Sequence, residues 1–118
     1  MKNILVLCVL ALFLTPAIFA QDPIVVAPGK YKKLFENDRV RVLEVNLKPG
    51  ETIAAHSHPA HVAYAATAGQ LTITDASGKP MVADAKVSDV FWFDPVTHSA
   101  ENTGKTDIKV VVVELKDK

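Results

Sequence analysis

From residue 39 to residue 115 the chain is a succession of short apolar-polar alternations separated by turn signals, and this period of two rules out most helical architectures. RVRVLEVNL (39–47) places Val40, Val42 and Glu44 on one face and Arg41, Leu43, Val45 and Leu47 on the other, before Pro49-Gly50 ends it. TIAAHSH and HVAYAATAG follow as two strands with a corner at Pro59. QLTITDASGKPMVAD reads as a hairpin turning at Ser77-Gly78-Lys79-Pro80. DVFWFDP, HSAENTG and the valine-rich DIKVVVVELK complete a set of seven to nine strands. No amphipathic helix, internal repeat or linker interrupts them. The expected fold is therefore all-β, a sandwich, jelly roll or barrel. KYKKLFEN (30–37) fits a helical turn or an edge strand, and the apolar DPIVVAPG (22–29) fits an added strand.

The first twenty residues, MKNILVLCVLALFLTPAIFA, stand apart: a lysine near the start, an apolar run and then small residues read as a secretory signal peptide. The run is broken by Thr15 and Pro16 and is short for a bilayer crossing of ~20 residues. Cleavage after Ala20 assigns 1–20 to the leader and 21–118 to one domain, secreted or periplasmic, without a stable membrane anchor. Cys8 lies in the leader, so the mature domain has neither disulfide nor thiolate chemistry. A domain of this length buries ~65% of its extended-chain surface. Lys2 leaves with the leader, so thirteen basic residues become twelve against thirteen acidic ones, with no run of like charge. That balance argues against a nucleic-acid partner or an anionic membrane surface. Size, the lack of disulfides and open strand edges predict a homodimer.

Three of the four histidines, His56, His58 and His61, fall within six residues. Side chains at i and i+2 of a strand share a face, so His56 and His58 converge, as two ligands of one metal would. His-x-His alone also fits two solvated or hydrogen-bonded side chains. His61 is an odd number of residues from the pair and faces away to solvent, unless the Pro59 corner resets the alternation and brings it in as a fourth ligand. Phe91, Phe93, Tyr64 and Trp92 are candidates for a pocket lining, with Phe91 and Phe93 on the face opposite Trp92, although core packing also suits such aromatics. Asp94 and Glu101 read as solvated.

Gly50, five residues, His56, one residue, His58, three residues, Val62, six residues, Gly69 resembles the first motif of the cupin superfamily, with Val62 where that motif carries glutamate. SDVFWFDPVTHSAENTG (88–104) resembles the second motif, with Ser88 in the leading glycine slot, followed by Pro95, His98 and Asn102. Its loop before His98 is one residue short and lacks the middle glycine. The resemblance spans roughly residues 35 to 115. It implies a small, single-domain, RmlC-like jelly-roll barrel of six to eight strands, in which His56, His58 and His98 bind one metal. It gives Asn102 a structural place near a turn and no ligand role.

Without the glutamate, three neutral imidazoles suit iron, zinc, copper or nickel better than manganese. They would also leave the ion a stronger Lewis acid. The sequence thus points to a secreted metal-binding barrel acting on a small-molecule substrate, first as a dioxygenase and next as an isomerase or hydrolase. Its alternatives are a non-catalytic module that binds a small ligand or metal, and a barrel that serves only dimerisation.

Overall fold

The computed structural model describes residues 21–117. The reading of 1–20 as a leader falls outside them. A short helix α1 (Pro23–Val26) precedes nine strands: β1 (Tyr31–Glu36), β2 (Val40–Leu47), β3 (Thr52–His58), β4 (His61–Ala65), β5 (Gly69–Asp75), β6 (Pro80–Ala85), β7 (Val90–Phe93), β8 (Val96–Asn102) and β9 (Ile108–Leu115). They form a five-stranded sheet in the order β1-β2-β9-β4-β7 and a four-stranded sheet in the order β3-β8-β5-β6, paired antiparallel throughout. The two sheets face each other as a jelly roll. Among the described residues no helix is long and apolar enough to cross a membrane.

Two local expectations resolve here. KYKKLFEN is an edge strand, β1, paired only with β2 in its sheet. DPIVVAPG does not add a strand: Asp22 caps a helical turn by accepting from the Ile24 N–H at 2.9 Å, and Pro23 follows at the first turn with its φ already helical. The strand count is nine where the resemblance implied six to eight.

Alternation decides what points inward. On β2, Leu43, Val45 and Leu47 are buried, and on the central strand β9, Ile108, Val112 and Glu114 are. Leu43, Val45, Leu47, Val112, Ile53 and Tyr31 form the packed core.

Two turns carry the starts of the two motifs. Glu51 N–H bonds to Lys48 O at 3.0 Å, with Pro49 at the second and Gly50 at the third position and Gly50 at φ 81°, as a type II turn requires. Asp89 N–H bonds to Lys86 O in the same way at 3.0 Å, and there the third position is Ser88 at φ 74°. Ser88 thus occupies a backbone conformation that favours glycine, which explains the substitution in the second motif without a change of path. Gly69 is required for another reason. A Cβ there would stand 2.7 Å from Ile108 Cγ1.

Asn102, buried at the end of β8, is a structural clamp. Its Nδ2 donates to Leu47 O and Thr106 O, both at 2.9 Å, and its Oδ1 accepts from the Gly104 N–H at 3.0 Å. Replacing it with alanine orphans these backbone groups, and urea denaturation should show a loss of about 2 kcal/mol, since an unsatisfied buried partner costs ~1–3 kcal/mol.

Candidate metal centre

The inward turn of the histidines depends on one extra residue in β3. Ile53 pairs with Ala100 and His56 with His98, so three steps along β3 match two along β8. This β-bulge at Ala54-Ala55 resets the alternation and puts Ile53, His56 and His58 all on the buried face. The bulge also frees the Ala54 carbonyl, which accepts from His56 Nδ1–H at 2.8 Å. A second reset occurs at the Pro59 corner. His61 is therefore 2% exposed and points inward, which corrects the expectation that it faces solvent. Its Nδ1–H donates to Pro59 O at 2.8 Å, and its ring stacks on Phe93 with centroids 4.9 Å apart and planes at 9°.

His56, His58 and His98 each offer a ring nitrogen within 4.8 Å of the others, the three sequence candidates brought together from two paired strands. Small ring rotations would close that spread to the ~3.3 Å edges of a set of nitrogens ~2.0–2.1 Å from one ion. His61 is not in this set, although its ring centroid is 4.6 Å from that of His58. Val62 lies on the opposite face of β4, across from Trp92, and contributes nothing to the cluster.

The supporting groups were not anticipated from sequence. Glu114, 2% exposed, accepts from His58 Nδ1–H at 2.7 Å through Oε2 and from Arg41 Nε–H at 2.7 Å through Oε1. Arg41 donates in turn from Nη1–H to Asp22 Oδ2 at 2.8 Å. A chain of charges thus runs from the N-terminal segment to the back of His58. The sequence signal for Glu114 is its parity: Ile108, Val110, Val112 and Glu114 share a face, and an acid at the end of such a row must be paired to be buried. Burial pushes its carboxyl up, but the hydrogen bonds from His58 and Arg41 and the Arg41 charge outweigh that and hold it below the usual range.

Tyr31 supplies the second unanticipated group. Its hydroxyl lies 3.1 Å from His56 Nε2 and 3.3 Å from His58 Nε2. Both Nδ1 atoms face groups that only accept, so both carry hydrogen and both Nε2 atoms present lone pairs. One O–H cannot satisfy two acceptors. A cation taking both lone pairs resolves the shortage, so the donor set fits a metal. The carboxylate behind His58 and the carbonyl behind His56 are the outer partners that fix ligating tautomers. Burial, foremost, and the charge of Glu114 push the Tyr31 hydroxyl's pKa well above its ordinary value.

Burial also pushes His56 down to about 4, against the raising effect of the Ala54 bond, and His98 down to about 3, with the neighbouring histidines adding to the fall. His56 and His98 are thus neutral at pH 7, as metal ligation demands. In metal-free protein, unfolded histidines take up protons near pH 6.5, while these two resist until about 4 and 3. Between those values the unfolded chain binds more protons, so stability is full above pH 6.5 and falls on acidification. The urea midpoint of the metal-free protein should accordingly be lower at pH 5 than at pH 7.5.

His58, His61 and His98 close one end of a cavity of about 330 Å³ between the sheets. Phe91 and Phe93 line it with Leu71, Ile73, Val110 and Val112. Trp92 and Tyr64 do not: they point outward, 56% and 40% exposed. Asp94 and Glu101 are exposed, as expected.

A family model described as a cupin domain matches residues 43–114. The chain belongs to the cupin domain family. No curated protein matches it. Among solved structures, a cupin domain from Bordetella pertussis Tohama I is similar at 24% identity and TM-score 0.68, covering 74% of this chain and 92% of that one. A predicted oxalate decarboxylase from Thermotoga maritima is similar at 25% identity and TM-score 0.56, over 74% and 79%. An RmlC-like cupin with a double-stranded β-helix fold from Methanocaldococcus jannaschii matches at 17% identity and TM-score 0.61, over 73% and 78%.

Proposed function

We propose that this cupin binds one divalent transition metal, iron, zinc, copper or nickel, through His56, His58 and His98, and that the ion's open positions receive an oxygen-bearing small molecule in the adjoining cavity. The observation that carries the reading is the pair of Nε2 lone pairs facing one shared hydroxyl, with both Nδ1 atoms committed behind them. When bound, a metal there supplies Lewis acidity, and iron or copper would add the redox chemistry of a dioxygenase, the reaction class we favour. The chain's own contribution is positional. Glu114 and the Ala54 carbonyl hold His58 and His56 in the ligating tautomer, Tyr31 offers a hydroxyl beside both, and the apolar walls exclude water from the reacting end.

A non-catalytic binding module is the second reading. It is favoured by the cavity lining, which offers neither a carboxylate nor a lysine to move protons. Metal analysis of the protein recovered from its own compartment separates these from an empty barrel: about one ion per chain is expected, and a preparation that takes up none of the four metals overturns the proposal. Turnover of dioxygen with loss of substrate then distinguishes enzyme from binder.

The proposal includes a secreted or periplasmic location, supported by the composition of residues 1–20, and a homodimer. The homodimer is supported by the outer face of β4 and β7, where Val62 pairs with Trp92 and Tyr64 with Val90, and Val90 and Trp92 are exposed. A largely apolar patch of this kind, with Asp94 tied to the Trp92 indole N–H at its border, can meet its own copy across a two-fold axis. Trp92→Lys should convert the dimer to monomer in light-scattering measurements.

A further inference from the structure

We infer that the cavity takes a ligand with a mostly apolar body and a single hydroxyl head, a phenol or an enol, whose hydrogen His61 accepts. This rests on the reading above that the cavity is where the ligand of the centre binds.

The wall chemistry defines the body. No lysine, arginine, aspartate or glutamate lines the cavity among the described residues. Its only polar side chains, Tyr31, His58, His61 and His98, belong to the histidine end. Away from that end a ligand meets Leu71, Ile73, Ala83, Ala85, Phe91 and Val110, none of which can hydrogen-bond. Polar atoms placed there would lose water and gain no partner, so the ligand's oxygens must all sit at one end. A small dicarboxylate has no apolar part to fill this volume. Asp75 and Lys79 line an adjoining pocket that shares Ile73, Met81, Phe93 and His98 with this one, and the Asp75 carboxylate is already engaged by the Ser77 N–H, the Ser77 hydroxyl and the Lys79 N–H.

The head is defined by His61. Its Nδ1 faces the Pro59 carbonyl, which only accepts, so that nitrogen carries the hydrogen and Nε2 carries the lone pair. Nε2 has no protein partner among the described residues and is not sealed away as a buried unsatisfied atom, so it opens onto the cavity that the ring lines. Stacking on Phe93 holds the ring in that orientation. The lone pair calls for a ligand that donates. A hydroxyl does so, and its oxygen stays free to face the histidine cluster and Tyr31. A carboxylate head brings no hydrogen and sets its own lone pairs against that of Nε2.

The test is binding of 1-naphthol, naphthalene, 1-naphthoate and oxalate to zinc-loaded protein whose zinc content is measured on the same sample, followed through the fluorescence of 1-naphthol and its displacement. Binding of 1-naphthol about tenfold tighter than naphthalene is expected, the upper range of one hydrogen bond. Neither 1-naphthoate nor oxalate should displace it at equal concentration. His61→Phe should bring 1-naphthol down to the level of naphthalene, and His61→Gln, which keeps a carbonyl acceptor, should retain most of the preference, each variant being checked for fold by circular dichroism. Displacement by either carboxylate, parity of 1-naphthol with naphthalene in the unaltered protein, or no binding at all overturns the inference. A preparation that takes up neither zinc nor iron, copper or nickel overturns the proposed metal centre instead. The same four probes on that metal-free protein still decide the ligand class, preference for 1-naphthol supporting it and parity overturning it.

Discussion

The double variant His56→Ala/His98→Ala is expected to fold and to bind no divalent metal at concentrations that saturate the unaltered protein. His58 would be the sole member left of a set that depends on three nitrogens within 4.8 Å. A lone imidazole has no chelate advantage, so the loss should reach several powers of ten and register as complete in equilibrium dialysis. Both rings are buried and that of His56 packs edge-on against Tyr31, so some stability is lost, but folding should survive because the apolar cluster of Leu43, Val45, Leu47, Ile53, Val112 and Tyr31 keeps all its members. Metal retained at full affinity would place the ion elsewhere on the chain.

The second large effect belongs to a residue that would touch no ion. Glu114→Gln removes the charge behind His58 while keeping its volume, and should weaken metal affinity by about 10- to 100-fold, the usual effect of losing an outer partner of a ligating histidine. Glu114→Leu goes further. It leaves the Arg41 guanidinium, about one-sixth exposed, without its inner partner, and breaking a buried pair from one side costs ~3–5 kcal/mol. The double variant Arg41→Met/Glu114→Leu separates the two roles. Stability to urea should recover, since apolar replacement of a buried pair is often neutral. Metal affinity should stay low, because His58 Nδ1 still lacks its acceptor. Recovery of both would mean that the carboxylate serves only packing.

Much of this was legible in the sequence because period-two alternation is enforced at every residue of a sheet with one face buried. β3 lies where TIAAHSH predicted it, and the β5–β6 hairpin turns at the expected Ser77-Gly78. The three ligand candidates were legible for a different reason, their spacing within two motifs. What alternation could not show were its own interruptions. Alternation alone points His61 outward because it does not register the corner at Pro59, which resets the count. The segment that forms α1 fits a strand equally well in sequence, because a short helical turn opened by proline is in one dimension simply an apolar run. Tyr31, Arg41 and Glu114 come from β1, β2 and β9, separated by up to 83 residues, and nothing local marks them as neighbours. Arg41 and Glu114 are direct partners across the sheet, and that pairing exists only once β2 and β9 lie side by side.

The extra peptide unit in β3 has a consequence for how such a centre can be lost. Every ligand could remain encoded, and excision of one alanine codon at position 54 or 55 would still leave the barrel unable to aim both Ile53 and the His56–His58 pair inward. Either the greasy end of the strand or its coordinating end would turn outward. Disarming this protein therefore takes no change to any chemically active side chain, only a shift of frame within the pleat.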